Sequence, residues 1–74
     1  MAIFIGEIIR QKAKERKVTV TWMAKKLGCH RTNIYRIFDS VSIDTNVLYR
    51  LSSILKFDFF KIYSDNLTEE TRSE

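Results

Sequence analysis

Apolar residues recur along this chain at intervals of three and four, which is the period of helices, and they do not alternate as they do in strands. Separate apolar stripes of this kind predict helices over residues 5–16, 20–27, 31–38, 45–55 and 59–63. Each stripe is narrow and needs a neighbouring helix to cover it. The predicted fold is therefore all-α, a compact bundle of about five short helices.

Residues that favour helix ends stand at the predicted boundaries. Thr19, Asp44 and Asp58 each precede an apolar run and can accept backbone N–H groups as N-caps. Gly28 directly follows Leu27 and suits the left-handed conformation of a tight helix exit. A short turn is thus predicted between the second and third helices.

The length of 74 residues limits the class of protein. One small domain is predicted over residues 1–66, too small for the deep cleft of a typical enzyme, so a non-catalytic binding module is expected. The chain from residue 64 onward has little to bury, and the polar segment 67–74 is expected to be a disordered tail.

The chain also lacks the signals of export or membrane insertion. No apolar run reaches the roughly 18 residues of a membrane span, and the apolar start lacks the basic region of a secretory signal. A single cysteine cannot form an internal disulfide, whereas a small extracellular domain usually needs several. A cytoplasmic location is expected.

Positive charge is concentrated in the first half of the chain. The net charge is +4, but residues 10–36 carry nine basic side chains against one acidic, whereas residues 57–74 carry two basic against five acidic. A local excess of this size attracts a polyanion, and nucleic acid is the commonest one that a soluble protein meets. The alternative is an ordinary solvated basic face.

Residues 20–38 fit a helix-turn-helix, in which two short helices are joined by a turn containing glycine. Ala24 allows the second helix of the motif to cross closely over the first, Gly28 makes the bend, and Ile34 and Ile37 lock the crossing. With these four positions the stretch resembles the lambda-repressor-like, XRE-type helix-turn-helix DNA-binding family. The similarity also takes in one helix before the motif and two after it.

The resemblance implies that helix 31–38 enters the major groove of double-stranded DNA. Arginine suits guanine, threonine can meet a thymine methyl group, and asparagine can pair with adenine. On this similarity the base-reading residues are Arg31, Thr32 and Arg36, supported by Asn33 and Tyr35. Contacts to DNA phosphates are expected from Thr19, Thr21, Lys25, His30, Thr45 and Asn46.

The sequence departs from the family pattern in two places. His30 stands where relatives usually have a Ser or Thr cap, so the recognition helix is expected to start one residue later or to be held less tightly. Ala13 and Phe38 occupy positions where many relatives have an Arg–Glu pair. Because apolar packing can replace such a pair, Phe38 is predicted to pack near Ala13.

Three aromatic residues remain outside the predicted core. Trp22 points away from the apolar stripe of its helix and is expected to be exposed, covered by residues 1–4, by a second subunit or by the DNA backbone, with the first favoured. Phe60, Tyr63 and the apolar start provide material for a homodimer, which relatives use to grip two half-sites.

No catalytic or metal-binding set can be assembled. Cys29 and His30 are adjacent, but the chain has no second Cys or His, and zinc needs three or four ligands. Cys29 is expected to fill a small apolar position after the turn. Neither a metal, another cofactor nor a small-molecule ligand is expected.

The predicted function is sequence-specific DNA binding by a transcriptional regulator, expected to be a repressor that acts by occupying an operator. The alternative is a protein-interaction module, an antitoxin-type adaptor built on the same fold, with Trp22, Phe60 and Tyr63 as its working surface.

Overall fold

The computed structural model describes residues 3–72, with side chains described up to residue 68. This part of the chain contains five helices and no strand: α1 (Ile5–Glu15), α2 (Val20–Leu27), α3 (Arg31–Phe38), α4 (Thr45–Leu55) and α5 (Phe60–Arg72). The predicted all-α bundle is confirmed. No helix of residues 3–72 has both the length and the apolar character needed to cross a membrane.

The core is built from the apolar stripes seen in the sequence. Its buried members are Ile5, Ile9, Ala13, Met23, Ala24, Leu27, Ile34, Leu48, Leu51, Leu55 and Phe59. Burial of one large apolar side chain contributes about 1.5–3 kcal/mol, so this cluster is the main source of stability. Ile37 and Phe38 pack against it while partly exposed, so α3 has one buried face and one open face.

The predicted helix caps are confirmed. The Thr19 hydroxyl accepts the Trp22 amide N–H at 3.0 Å, and the Asp44 carboxylate accepts two amides of the first turn of α4 at 3.0 and 3.2 Å. Asp58 accepts the Phe60 amide at 3.1 Å. Gly28 ends α2 in the left-handed region with φ +69°, as its position predicted.

Two further helix ends use lysine in the left-handed conformation. Lys17 follows α1 with φ +56° and Lys56 follows α4 with φ +55°, a conformation that costs a non-glycine residue about 1–2 kcal/mol. The Arg16 guanidinium lies between these two ends. It donates to the Leu55 carbonyl at 3.0 Å and to the Lys56 carbonyl at 3.1 Å, and so joins α1 to the end of α4.

Gly6 is the point at which α1 crosses the end of α3. A Cβ at this position would lie 2.2 Å from the Ile37 carbonyl oxygen, 2.5 Å from that of Phe38 and 2.6 Å from that of Ser40. The Gly6 amide donates to the Ser40 carbonyl at 3.0 Å. Only glycine permits this approach, which fixes the orientation of α3 against the core.

The last helix is longer than the sequence predicted. A short helix followed by a frayed chain from residue 64 was expected, but α5 continues to Arg72 and crosses the proposed domain boundary at 66. The stretch has little to bury, as expected: Leu67 is 60% exposed. However, it lacks Gly and Pro, which would interrupt a helix, and the Thr68 hydroxyl donates to the Ser64 carbonyl at 2.9 Å. Residues 73 and 74 lie outside the described residues.

Candidate nucleic-acid interface

The outer face of α3 carries the five residues that the sequence assigned to base reading. Arg31, Thr32, Asn33, Tyr35 and Arg36 are all exposed on this helix. Ile34, between them in sequence, is fully buried and anchors the helix to the core. The structure therefore brings the five side chains together on one eight-residue helix.

The two flanks of α3 open onto different grooves. Asn33 and Arg36 line a groove of about 390 Å³ that runs between α3 and the start of α4, where Asp44 lies. Tyr35 lines a groove of about 510 Å³ shared with α1 and α2. The Tyr35 ring also packs edge-on against Phe38, with ring centroids 6.4 Å apart. Tyr35 is thus partly held by the protein, although it is 53% exposed.

The amino end of α3 is capped by His30. The Thr32 amide donates to His30 Nδ1 at 3.3 Å, and the same nitrogen lies 2.9 Å from the Thr32 hydroxyl. A neutral imidazole that carries its proton on Nε2 can accept at Nδ1, which makes this cap chemically sound. Helix α3 therefore starts at Arg31, and the expectation that a poor cap would delay its start is wrong.

The amino end of α2 lies beside the start of α3. Thr21, Lys25, His30 and Arg31 line a shared groove of about 340 Å³. Thr19 is also exposed, but its hydroxyl is engaged as the α2 cap. Three of the six residues assigned to phosphate contacts therefore line this groove, beside the N-terminus of α3, whose partial positive charge attracts anions.

The other two residues assigned to phosphate contacts, Thr45 and Asn46, are exposed at the start of α4. Here the Asn46 and Val47 amides already donate to the Asp44 carboxylate. An acidic cap satisfies this helix end and adds a negative charge beside it. The amides of Asn46 and Val47 are therefore not available to a phosphate, whereas the side chains of Thr45 and Asn46 are.

Several basic residues of segment 10–36 have structural partners. Arg10 pairs with Glu7, which lowers the pKa of the Glu7 carboxyl and raises the pKa of the Arg10 guanidinium, in both cases mainly through their hydrogen bond. Lys12 pairs with Glu15 at 2.6 Å, and its ammonium lies 4.2 Å from the centre of the Phe57 ring. These contacts stabilise α1 and its neighbours.

Arg50 and Gly6 have roles that the sequence reasoning missed. Arg50 of α4 donates to the Leu27 carbonyl at 2.9 Å and lines the same groove as Asn33 and Arg36. Its position on the face of α4 that carries Val47 was the available signal. For Gly6 the signal was a glycine inside a predicted helix, where it is otherwise unfavourable.

Trp22 is not exposed as expected. It is half-buried and lines a groove with Ser53, Ile54 and Lys56 at the end of α4, and the Lys26 ammonium lies 5.7 Å from its ring centroid. The end of α4 therefore covers this ring, because α2 and α4 pack together. Contact with residues 1 and 2 lies outside the described residues.

Phe38 and Cys29 behave as predicted. Phe38 is half-buried and lines the same groove as Ala13, in agreement with apolar packing in place of an ion pair. Cys29 is half-buried against the core. Among the described residues no cluster of His, Cys, Asp or Glu could hold a metal ion.

The chain matches no protein-family model, no curated protein and no solved structure. What this surface can do therefore has to follow from its residues and their geometry.

Proposed function

We propose that this protein is a sequence-specific DNA-binding regulator of transcription, of the lambda-repressor-like helix-turn-helix type, which inserts α3 into the major groove. One observation carries the proposal: Arg31, Thr32, Asn33, Tyr35 and Arg36 form an exposed polar face on a helix whose opposite side is anchored by Ile34. The major groove of B-form DNA is about 12 Å wide and admits an α-helix.

The side chains on this face match the chemistry of base edges. Arg31 and Arg36 can each donate two hydrogen bonds to guanine O6 and N7, and Asn33 can form a paired contact with adenine. Neither guanidinium group has a hydrogen-bond or ion-pair partner within residues 3–68, and the only side-chain contact at Arg36 is made to its backbone carbonyl. Each is therefore free to contact a base without first breaking an internal contact.

The groove beside α3 supplies the sequence-independent part of the interaction. Thr21, in the first turn of α2, and Lys25, in its last turn, line the same groove as Arg31. Phosphate contacts from such groups position a protein on the duplex but carry no sequence information. Repression then follows from occupancy of an operator, and the protein needs no catalysis for it.

The alternative, an interaction module, loses part of its proposed surface. Trp22 is covered by α4, which leaves Phe60 and Tyr63, 37% and 36% exposed, as the remaining aromatic contact residues. These two exposed aromatic side chains can pack against a second copy of the chain, which would let the protein bind DNA as a dimer. A palindrome in the preferred DNA would report such a dimer.

The decisive experiment selects bound duplexes from a random pool and then measures the affinity of three variants for the selected duplex at several salt concentrations. Arg36→Ala should lose about 1–3 kcal/mol of binding free energy and relax the preference at one base pair. Lys25→Ala should weaken all duplexes alike and reduce the salt slope by about one. Lys61→Ala removes an equal charge from α5 and serves as the matched control, expected to bind as the wild type does.

Failure to enrich any sequence, with weak binding that is insensitive to salt, would contradict the proposal and favour the interaction module. Identical behaviour of the Arg36 and Lys25 variants on all duplexes would contradict the assignment of roles, because base contacts and phosphate contacts affect specificity differently.

A further inference from the structure

His30 holds both polar groups of Thr32. The Thr32 amide and hydroxyl are both directed at His30 Nδ1, at 3.3 and 2.9 Å. Thr32 is nevertheless exposed on the outer face of α3. Its side chain therefore has a fixed direction relative to the helix, although no core residue covers it.

We propose that His30 is a positioning residue that turns the Thr32 hydroxyl back towards the protein, so that the Thr32 methyl group is presented to DNA and selects a thymine. The proposal rests on the DNA-binding function proposed above. It assigns to His30 a role in specificity, in place of the phosphate contact that the sequence suggested.

The chemistry of the contact supports this assignment. When Nδ1 accepts from the amide, the hydroxyl can donate its hydrogen to the same nitrogen, and it then has none to give to guanine or thymine oxygens. The oxygen and the methyl group leave Cβ in different directions, so an oxygen turned towards His30 leaves the methyl group outermost. In the major groove the thymine C5-methyl group is the feature that an apolar contact reads.

The amide contact requires an Nδ1 without a proton, because an Nδ1–H group can donate to the Thr32 hydroxyl but cannot accept from the Thr32 amide. Within the described residues the charged side chains that share the groove with His30 are Lys25 of α2 and Arg31 of α3.

The test replaces each thymine of the selected duplex in turn by deoxyuridine, which lacks only the methyl group. At one position the wild type should bind the deoxyuridine duplex about four-fold more weakly, the factor that corresponds to one buried methyl group. Thr32→Val keeps a methyl group and should retain the discrimination. Thr32→Ser keeps the hydroxyl, lacks the methyl group and should lose it.

Two variants of His30 separate positioning from simple capping. His30→Asn keeps an acceptor for the Thr32 amide, so it should retain the thymine preference. His30→Ala should lose the preference. The readout is the ratio of the affinities for the thymine and deoxyuridine duplexes, because loss of a side chain that contacts only the backbone of DNA weakens binding to both duplexes alike.

Imidazole nitrogen chemical shifts and the Thr32 amide resonance, measured on the protein without DNA, test the His30–Thr32 contact independently. A thymine preference that is unchanged by His30→Ala overturns the inference, and so does the absence of any position sensitive to deoxyuridine. Failure of the initial selection to enrich a sequence, by contrast, overturns the proposed function itself.

Discussion

Replacement of Gly6 by alanine should strongly destabilise the protein. The new Cβ would lie between 2.2 and 2.6 Å from the carbonyl oxygens of Ile37, Phe38 and Ser40, which is closer than real Cβ contacts occur. These oxygens belong to the backbone at the end of α3 and cannot rotate away as a side chain could. Helix α1 must therefore move off α3.

The magnitude follows from the contacts involved. Overpacking of this kind costs about 1–3 kcal/mol. Movement of α1 also weakens the Gly6–Ser40 and Ile5–Val41 backbone hydrogen bonds, at 3.0 and 3.4 Å, each worth about 0.5–1.5 kcal/mol. Alanine recovers about 1 kcal/mol through its better helix propensity. The expected net loss is about 3 kcal/mol, a large share of the roughly 4–11 kcal/mol typical of a chain of this size.

Thermal unfolding followed by circular dichroism, together with a urea titration, measures this loss. The Tm should fall by more than about 10 °C, because each kcal/mol lowers it by about 4–8 °C in a small domain. Lys14→Ala introduces alanine at an exposed position of the same helix and should change the stability by less than about 0.5 kcal/mol. A Gly6→Ala protein as stable as this control would show that α1 does not pack as closely against the end of α3 as these distances indicate.

Three other changes test separate parts of the fold. Gly28→Val should lower the Tm, because φ is +69° at this position and a β-branched residue tolerates that conformation poorly. Gly28→Asn should lower the Tm much less, since asparagine tolerates this conformation and no atom lies within 4 Å of the added Cβ. Equal losses of Tm in the two variants would indicate a steric cause instead. Arg16→Met removes two hydrogen bonds to the end of α4 and should cost about 1–3 kcal/mol in urea unfolding, while the preference of the folded protein among DNA sequences stays unchanged. Glu7→Gln should be slightly less stable than the wild type at neutral pH, because the Arg10 hydrogen bond lowers the pKa of Glu7 in the folded state. The difference in Tm between the two proteins should disappear as the pH falls through that lowered pKa. A difference that persists in acid would show that the ion pair is not its source.

The local features of the fold could be predicted from sequence because their causes are local. Residues within one or two helical turns of each other determine the spacing of the apolar positions, the N-caps at Thr19 and Asp44, and the end of α2 at Gly28. The exposed face of α3 could also be predicted, since burial of Ile34 determines which residues of this helix point outward. The five candidate base-reading residues were therefore placed on one surface before any tertiary contact was known.

The features that sequence reasoning missed depend on contacts between distant segments. Trp22 is covered by Ser53 and Ile54, about thirty residues away along the chain. Gly6 is required by carbonyl groups at the end of another helix. His30 was undervalued for a different reason: the average capping preference of histidine is low, and only the geometry shows that one ring nitrogen meets both polar groups of Thr32.

Not all of the basic residues of segment 10–36 are free to contribute to the candidate interface. Arg10 and Arg16 of α1 already donate to a carboxylate or to backbone carbonyls, and these bonds would have to break before either residue could bind a phosphate. The charged groups of Lys25, Arg31 and Arg36 have no hydrogen-bond or ion-pair partner within residues 3–68 and are exposed on α2 and α3. Because long-range attraction depends on the total charge and base recognition depends on the free groups, the proposed function predicts that the basic residues of α1 raise the rate of encounter with DNA and that α3 selects the sequence.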